Sequence, residues 1–545
     1  MDINTSINMI DKRLQSAKAA RAPWERLWQM VLDVMNPNYG QIYTEGWNQN
    51  QGQRGDRRIY DSQGVKGLNR LSLALHSLMF SPTQKFMKFT LKNKRRYENS
   101  DRMQRWLAYV DEDINTSVST SNFHNKINES IGDLGSIGWF THLLETYPQE
   151  SDRYGDFIFR AIPFEQHYPI VGQDGTVESF IREFQMTAEH ILGNPELEKI
   201  ASTIVKLTDA AKNEPDKKFS IVHYVTPKTA IYQPIIKTHE YVSVYYFKEG
   251  KICLNHENGY FRGYEEKPFA TMRWETIPGE DYPRSPAMAV LGDAQSLQQL
   301  AKHRLTSAAL ATKPPTWEIE EQMAHDPRIL PGARNVFKRP DAFGFIEPRQ
   351  RMDVAYLENQ KLLDNVNDGF YLEDFQLPKD LPQMTAMEAG IRNAIRQSIF
   401  SPIIVRSAYE YVIPIGIRMF WIRYRAGYYD VPPVPFDEKE ITYQMVGPLA
   451  MAQMQNDVVM SEGFIRSAAE LAPVLPEYMA KIDGSKYATW RAERTNTSFF
   501  DFLRDDEETQ EILQQQAMQS QIPEGAQALR NVADAGLKQR KAESV

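Results

Sequence analysis

Cysteine is the scarcest residue of this chain: Cys253 stands alone, so no intrachain disulfide can form and a reducing compartment fits. A lone thiol of this kind reads as a small buried hydrophobe. Long apolar runs are missing too. The most apolar stretches, Leu71 to Phe80 and Tyr411 to Ile422, fall short of the roughly 18 residues a membrane span needs, and Arg418 interrupts the second. No membrane role is expected. The start, Met1-Asp2-Ile3-Asn4-Thr5-Ser6, lacks the basic beginning and apolar centre of a secretory peptide. Nor is there an excess of cations: 63 Lys and Arg stand against 71 Asp and Glu, a net charge of −8. That balance argues against a tight grip on nucleic acid along the chain, since phosphate contact needs Lys and Arg in excess. It leaves room for a surface past which DNA slides without sticking.

The signatures of covalent chemistry are absent as well. No Gly-x4-Gly-Lys-[Ser/Thr] loop is present, and Gly250-Lys251 lacks both the earlier glycine and the following hydroxyl. The ten histidines are scattered; His239-Glu240 and His256-Glu257 have no second His four residues on. There is no Gly-x-Ser-x-Gly elbow. The run Asp505-Asp506-Glu507-Glu508 reads as a solvated face. No catalytic residue, metal or cofactor is expected.

What is present is enough chain for two to four domains, 545 residues with 42% hydrophobic and 25% charged content. Helical spacing runs from about Thr5 to Met35, with a break expected at Pro23, and Trp24, Leu27, Trp28, Val31 and Leu32 recur on one face as a packing anchor. Residues 38–58 form a Gly, Asn and Gln-rich loop. Val65, Leu68, Leu71, Leu75 and Leu78 mark a second helix, and Ser100 to Val118 and Asn122 to Gly135 two more. From Phe157 the texture changes to short runs of β-branched and aromatic residues: Phe157 to Pro163, Ser179 to Phe184, Phe219 to Val225, Tyr241 to Lys248, Lys251 to Leu254 and Pro268 to Thr276. These are expected strands, with a turn at Lys248-Glu249-Gly250-Lys251 and a helical insertion from Thr187 to Asp216. The fold class is α+β, predominantly helical.

Ala287 to Thr312 is then strongly helical, with Gln295, Gln298, Gln299 and Lys302 mostly opposite the apolar face, and Pro314-Pro315 stops it. A compact segment follows, mixing strand signals (Thr316 to Glu320, Phe343 to Ile346) with Arg328, Arg334, Lys338, Arg339, Arg349 and Arg351. Those cations suit docking to an acidic partner or a neighbouring subunit, with direct phosphate contact the second reading. A helix from about Tyr356 to Phe375 carries Glu358, Asp364, Asp368, Glu373 and Asp374, of which Asp364 and Asp368 share a face. The proline-bounded loop Gln376 to Met384 leads into Thr385-Ala386-Met387-Glu388, a capping box, and a helix predicted to reach Arg425-Ala426-Gly427 with kinks at Pro402 and Pro414. Beyond the stiff Val431 to Pro435 connector, Gly447 to Leu475 and Glu477 to Ile482 look helical, and the polar, Gln-rich end carries no motif.

Met384-Thr385-Ala386-Met387-Glu388 with Arg392, then a helix bearing Tyr409-Glu410 before Pro414, resembles the signature of the portal, or head-to-tail connector, proteins of short-tailed bacteriophages. Other landmarks fall in that family's order: Asn36-Pro37, Tyr60-Asp61-Ser62, Gly279 to Ala287 and Lys313-Pro314-Pro315, together covering roughly residues 15 to 430. The family more often has Gly where Pro283 stands. The resemblance implies an N-terminal wing at 1–284, a first stem helix at 285–312, a clip at 313–352, a second stem helix at 353–376, a tunnel loop at 377–384, a long kinked wing helix at 385–430 and a C-terminal wing or crown at 431–545.

It further implies a non-enzymatic, homo-oligomeric ring, a dodecamer in the family, at one capsid vertex of the virion. Double-stranded DNA would pass through it, with Lys379, Asp380 and Gln383 of the loop and Gln295, Lys302, Asp364 and Asp368 of the stem facing the channel. Arg328, Arg334, Lys338, Arg339 and Arg349 would dock partners at the clip. The implied partners are the major capsid protein, the terminase large subunit, a tail adaptor protein and scaffolding or internal core proteins, with assembly in the host cytoplasm. A nucleic-acid-processing enzyme, which would need a metal-binding carboxylate cluster, and a monomeric virion adaptor are the alternatives.

Overall fold

The computed structural model describes residues 3–39, 42, 59–82, 84–93, 96–97, 100–230, 238–312, 316–318, 343–345, 352–372, 399–446 and 448–471, with isolated positions between 482 and 514. The chain divides into two compact units, one of residues 1–87, 116–428 and 442–447, the other of 88–115, 429–441 and 448–545.

The first unit begins with α1 (Ile3–Met35), which runs unbroken through Pro23. A proline inside a helix removes one backbone bond and crowds the preceding turn. The expected break does not occur because the helix is fastened on both sides of it. Arg21, 1% exposed, donates through Nη1 to the carbonyls of Phe164 (2.8 Å) and Glu165 (3.2 Å). Trp28, wholly buried, packs against Trp139, Phe164 and Tyr282. The tryptophans are a packing anchor, as their spacing indicated. The helix end is held by Tyr39, whose hydroxyl donates to Asp133 at 2.5 Å. Burial, with the nearby Glu165 charge, raises the Asp133 carboxyl well above the carboxylate range, although the Tyr39 bond acts the other way.

After β1 (Met87–Leu91), two antiparallel sheets follow. One has three strands, β2 (Trp139–Thr146) between β3 (Phe157–Ile162) and β12 (Phe269–Arg273). The other has β4 (His167–Val171), β5 (Val177–Thr187), β6 (Lys218–Pro227), β7 (Tyr241–Phe247) and β11 (Gly263–Tyr264) in the order β11-β7-β6-β5-β4, with β8 (Ile252–Cys253) also on β7, while the short β9 (His256–Glu257) and β10 (Tyr260–Phe261) pair with each other. Strand side chains alternate between faces, and each face of this sheet has its own cover. Val222, Tyr224, Val244 and Tyr246 pack against Ile7, Ile10 and Leu14 of α1. Phe219, Ile221, Tyr245 and Phe247 pack against the insertion between β5 and β6, which forms α5 (Ala188–Leu192), α6 (Glu198–Ala201) and α7 (Val205–Asn213). The Lys248 to Lys251 turn joins β7 to β8, and Cys253 is buried, its thiol raised by burial to about 11.

Helix α2 (Gln63–Met79) buries Leu68, Leu71 and Leu75 of its predicted face and leaves Val65 and Leu78 half-buried, and α4 (Phe123–Ser136) buries Phe123, Ile127, Ile131 and Leu134. The single helix expected over Ala287 to Thr312 is two pieces, α8 (Pro286–Ala289) and α9 (Leu291–Thr312), with Ser285 Oγ accepting from Met288 N as the N-cap. Helix α10 (Met352–Gly369) returns antiparallel to α9, and between them Thr316–Glu318 pairs with Phe343–Phe345. The second unit holds most of α3 (Asp101–Thr120) and α12 (Pro448–Leu471). Within it Asp111 accepts from Phe89 N (2.8 Å), Tyr429 Oη donates to Asp113 (2.7 Å) and Trp106 Nε1 donates to the Asp430 carbonyl (3.1 Å).

Candidate functional site

The stem-like hairpin of α9 and α10 is fastened at its base and bare further out. Gln298 Oε1 accepts from Tyr60 N (2.7 Å) and Asp61 N (3.1 Å), while its Nε2 donates to the Asp61 carbonyl. Gln63 Nε2 donates to Asn367 Oδ1, and Gly67 lets α2 approach so closely that a Cβ there would lie 2.5 Å from the Phe370 ring. On α9 the buried positions are Leu291, Ala294 and Leu297, all in its first two turns. Farther along, Leu305 on α9 and Tyr356 and Leu357 on α10 are 59%, 62% and 69% exposed. A helix pair normally hides such side chains.

Of the residues expected to face a channel, Asp364 and Asp368 are exposed one turn apart on α10, Lys302 is exposed with Nζ 5.8 Å over the Tyr60 ring, and Gln295 is half-buried. Lys379, Asp380 and Gln383 lie outside the described residues, as do Arg328, Arg334, Lys338, Arg339 and Arg349 and the Thr385 to Glu388 box with Arg392. Among the described residues no group of three or more His, Cys, Asp or Glu could hold a metal ion, and no helix is long and apolar enough to cross a membrane.

The long helix is described from residue 399. Just before Pro414, where a kink is expected, the helix carries a wide turn: over Ala408–Val412 the bonding is i→i+5, Ile413 N–H donating to the Ala408 carbonyl, before α11 (Ile413–Arg425) continues. Pro414 has no N–H and its ring crowds the turn before it, which a wider turn relieves. The helix is tied along its length to the chain around β12. Arg406 donates to the Trp274 carbonyl, Glu410 takes both Nε (2.9 Å) and Nη2 (2.5 Å) of Arg273, Arg418 pairs with Glu266 at 2.6 Å, and Arg425 pairs with Glu265 at 2.6 Å. Next to Glu410, Tyr411 bonds His142 of β2 at 2.6 Å. Arg273 and Glu410 are 7% and 8% exposed. The same Nη2 of Arg273 donates to the Gly175 carbonyl at 2.6 Å, and Lys267 Nζ donates to the Val177 carbonyl at 2.5 Å, so two cations hold the turn between β4 and β5. Burial lowers Lys267 to about 8, against the pull of Asp174, Glu410 and Glu178. Glu410 was singled out in the sequence as part of a motif, whereas Arg273 and Arg21 were missed and Gln298 was read only as part of the polar side of its helix. Nothing in strand periodicity marks which arginine finds a buried carboxylate.

The aromatic group near the helix end packs within the chain: Phe420 is wholly buried and stacks on Tyr424, with centroids 5.7 Å apart, and Arg423 lies 3.4 Å over the Tyr428 ring.

Comparison with known proteins gives the chain a family. The family model described as bacteriophage head to tail connecting protein matches residues 8–498. The chain is 22% identical over 502 residues to a probable portal protein of Bordetella phage BPP-1, covering 90% of this chain and 87% of the relative. It is 22% identical over 542 residues to the portal protein of Salmonella phage epsilon15, covering 97% and 94%. The chain belongs to the bacteriophage head-to-tail connecting proteins. Its function is that of a phage portal, a virion component that forms a ring with a DNA channel at the junction of capsid and tail.

Proposed function

We propose that the ring is a dodecamer in which α9 and α10 form the stem, residues 313–352 the clip, 377–384 the tunnel loop, the helix ending at Arg425 the wing spine and 431–545 the remaining wing and crown. Gln295, Lys302, Asp364, Asp368, Lys379, Asp380 and Gln383 face the duplex. A mostly polar lining of mixed sign touches DNA weakly and lets it slide. Arg328, Arg334, Lys338, Arg339 and Arg349 dock the terminase large subunit during packaging and the tail adaptor afterwards. The outer surface meets the major capsid protein and scaffolding or internal core proteins, and the ring assembles in the host cytoplasm. The protein supplies position and a passage rather than covalent catalysis.

The observation that carries this reading is the α9–α10 hairpin, pinned at its base by Gln298 and Gly67 while Leu305, Tyr356 and Leu357 stay bare. Copies arranged head to tail about an axis would cover such flanks, and a closed ring requires two different complementary faces. Negative-stain images and light scattering of the purified chain test it: rings with a central hole are expected, and a monodisperse monomer under all assembly conditions would overturn it. Within assembled rings, D364K with D368K should leave the ring intact and impair DNA passage; unchanged packaging would remove these two residues from the channel.

A further inference from the structure

We propose that Arg273 is a positioning residue that locks the register of the long helix and couples it to the turn between β4 and β5, so that the two yield together. Three observations carry this. The wide turn at Ala408–Val412 holds one residue more than an α-helical turn would, and such turns persist where surrounding contacts impose them. The neighbours Glu410 and Tyr411 both reach the three-stranded sheet, Glu410 to Arg273 of β12 and Tyr411 to His142 of β2. Arg273 has a second grip, its Nη2 on the Gly175 carbonyl, at the exposed tip of the β4–β5 hairpin. A planar guanidinium can serve both acceptors at once; an ammonium group cannot reproduce that fork.

Releasing Arg273 therefore frees two elements. The helix before Ala408 can slip back to α-helical bonding, a shift of about 1.5 Å along its axis, and the hairpin loses a clamp on its turn. Conversely, anything that pulls the hairpin tip away draws the guanidinium off Glu410. The consequence for DNA passage rests on the channel reading above, in which the tunnel loop, residues 377–384, leads directly into this helix. The coupling itself does not.

Hydrogen exchange measured by mass spectrometry on the full-length assembled protein tests it, comparing wild type with R273K, E410Q and, as a control on a half-buried pair elsewhere, E280Q. R273K is expected to speed exchange about tenfold or more in peptides spanning both 171–178 and 399–412, with 416–425 unchanged. E410Q should speed 399–412, and E280Q should affect neither. Should a single substitution unsettle folding by leaving one charge buried alone, the double variant R273Q/E410Q leaves none and should show the same paired response. For R273K and for R273Q/E410Q, a rise in only one of the two segments, or in neither, would overturn the coupling and leave Pro414 as the sole cause of the wide turn. Ring images of the same samples report separately on the portal reading.

Discussion

The His142 imidazole sits between the Tyr411 hydroxyl, 2.6 Å from Nδ1, and the Ser130 hydroxyl, 3.0 Å from Nε2, with no exposure to solvent. One bond reaches the long helix and the other α4, so a single side chain on β2 joins three elements. A second buried histidine, His167, meets Thr141 Oγ1 at 2.9 Å, and Thr141 in turn meets Thr271 at 2.7 Å.

These histidines make the fold acid-sensitive. Burial lowers both His142 and His167 from 6.5 to about 3. The unfolded chain therefore binds protons that the folded one refuses as pH falls from about 6.5 towards 3. Their contribution to stability is complete above 6.5 and is lost through that window, by up to a few kcal/mol each. Urea unfolding at pH 7, 6, 5 and 4 should show a midpoint that falls steadily below 6.5. Tyr411→Phe should cost about 1–3 kcal/mol at pH 7 by leaving Nδ1 without its partner; an unchanged midpoint would mean the bond contributes nothing.

Glycine positions should split by what surrounds them. Gly67→Ala places a Cβ against the Phe370 ring and should destabilise by about 1–3 kcal/mol, loosening the base of the hairpin. Gly132, within α4, has nothing within 4 Å of a Cβ, so Gly132→Ala should stabilise by up to about 1 kcal/mol. Thermal melts of the two variants should move in opposite directions.

Ion pairs should split by burial. Glu266 lies under Arg418 and Arg425; burial works to raise its carboxyl, but the two guanidiniums outweigh it and the net shift is downward. That stability is complete above about 4.5 and is lost as pH falls through the lowered value. Glu266→Gln should cost about 3–5 kcal/mol, since it leaves Arg418 buried without its partner charge. The exposed pair Lys217–Glu214 should yield about 0–1 kcal/mol on the same measurement.

Thiol reactivity offers a check on packing. Cys253 is buried in the β7–β8 region and its thiol is raised to about 11, so little thiolate exists at pH 8. A disulfide reagent should label it only as fast as the chain opens, and labelling in urea should be complete. Rapid labelling of the native protein would contradict the burial.

Much of the fold was legible because it rests on local rules. The β-branched and aromatic content of Phe219 to Val225 and Tyr241 to Lys248 predicts strands, and the alternation of side chains along them explains why one face meets α1 and the other the helical insertion. Strand β2 went unnoticed: Trp139–Thr146 is buried along most of its length, so no polar alternation marks it. Pro23 was over-read as a break, whereas the kink expected at Pro414 coincides with a wide turn just before it. A proline's local cost is fixed, but Arg21 and Trp28 in one case and a wide turn in the other absorb it.

Taken alone, the chain's letters determined the class: a mixed helical and sheet protein, a helix hairpin around a cation-rich module, and the motif that led to its family. Period, capping and proline punctuation act over a few residues, so they survive without knowledge of contacts. Only the tertiary structure decided which charges meet. That Arg273 finds Glu410, Arg418 finds Glu266 and Gln298 finds Asp61 depends on elements more than a hundred residues apart lying side by side, and sequence spacing carries no measure of that distance.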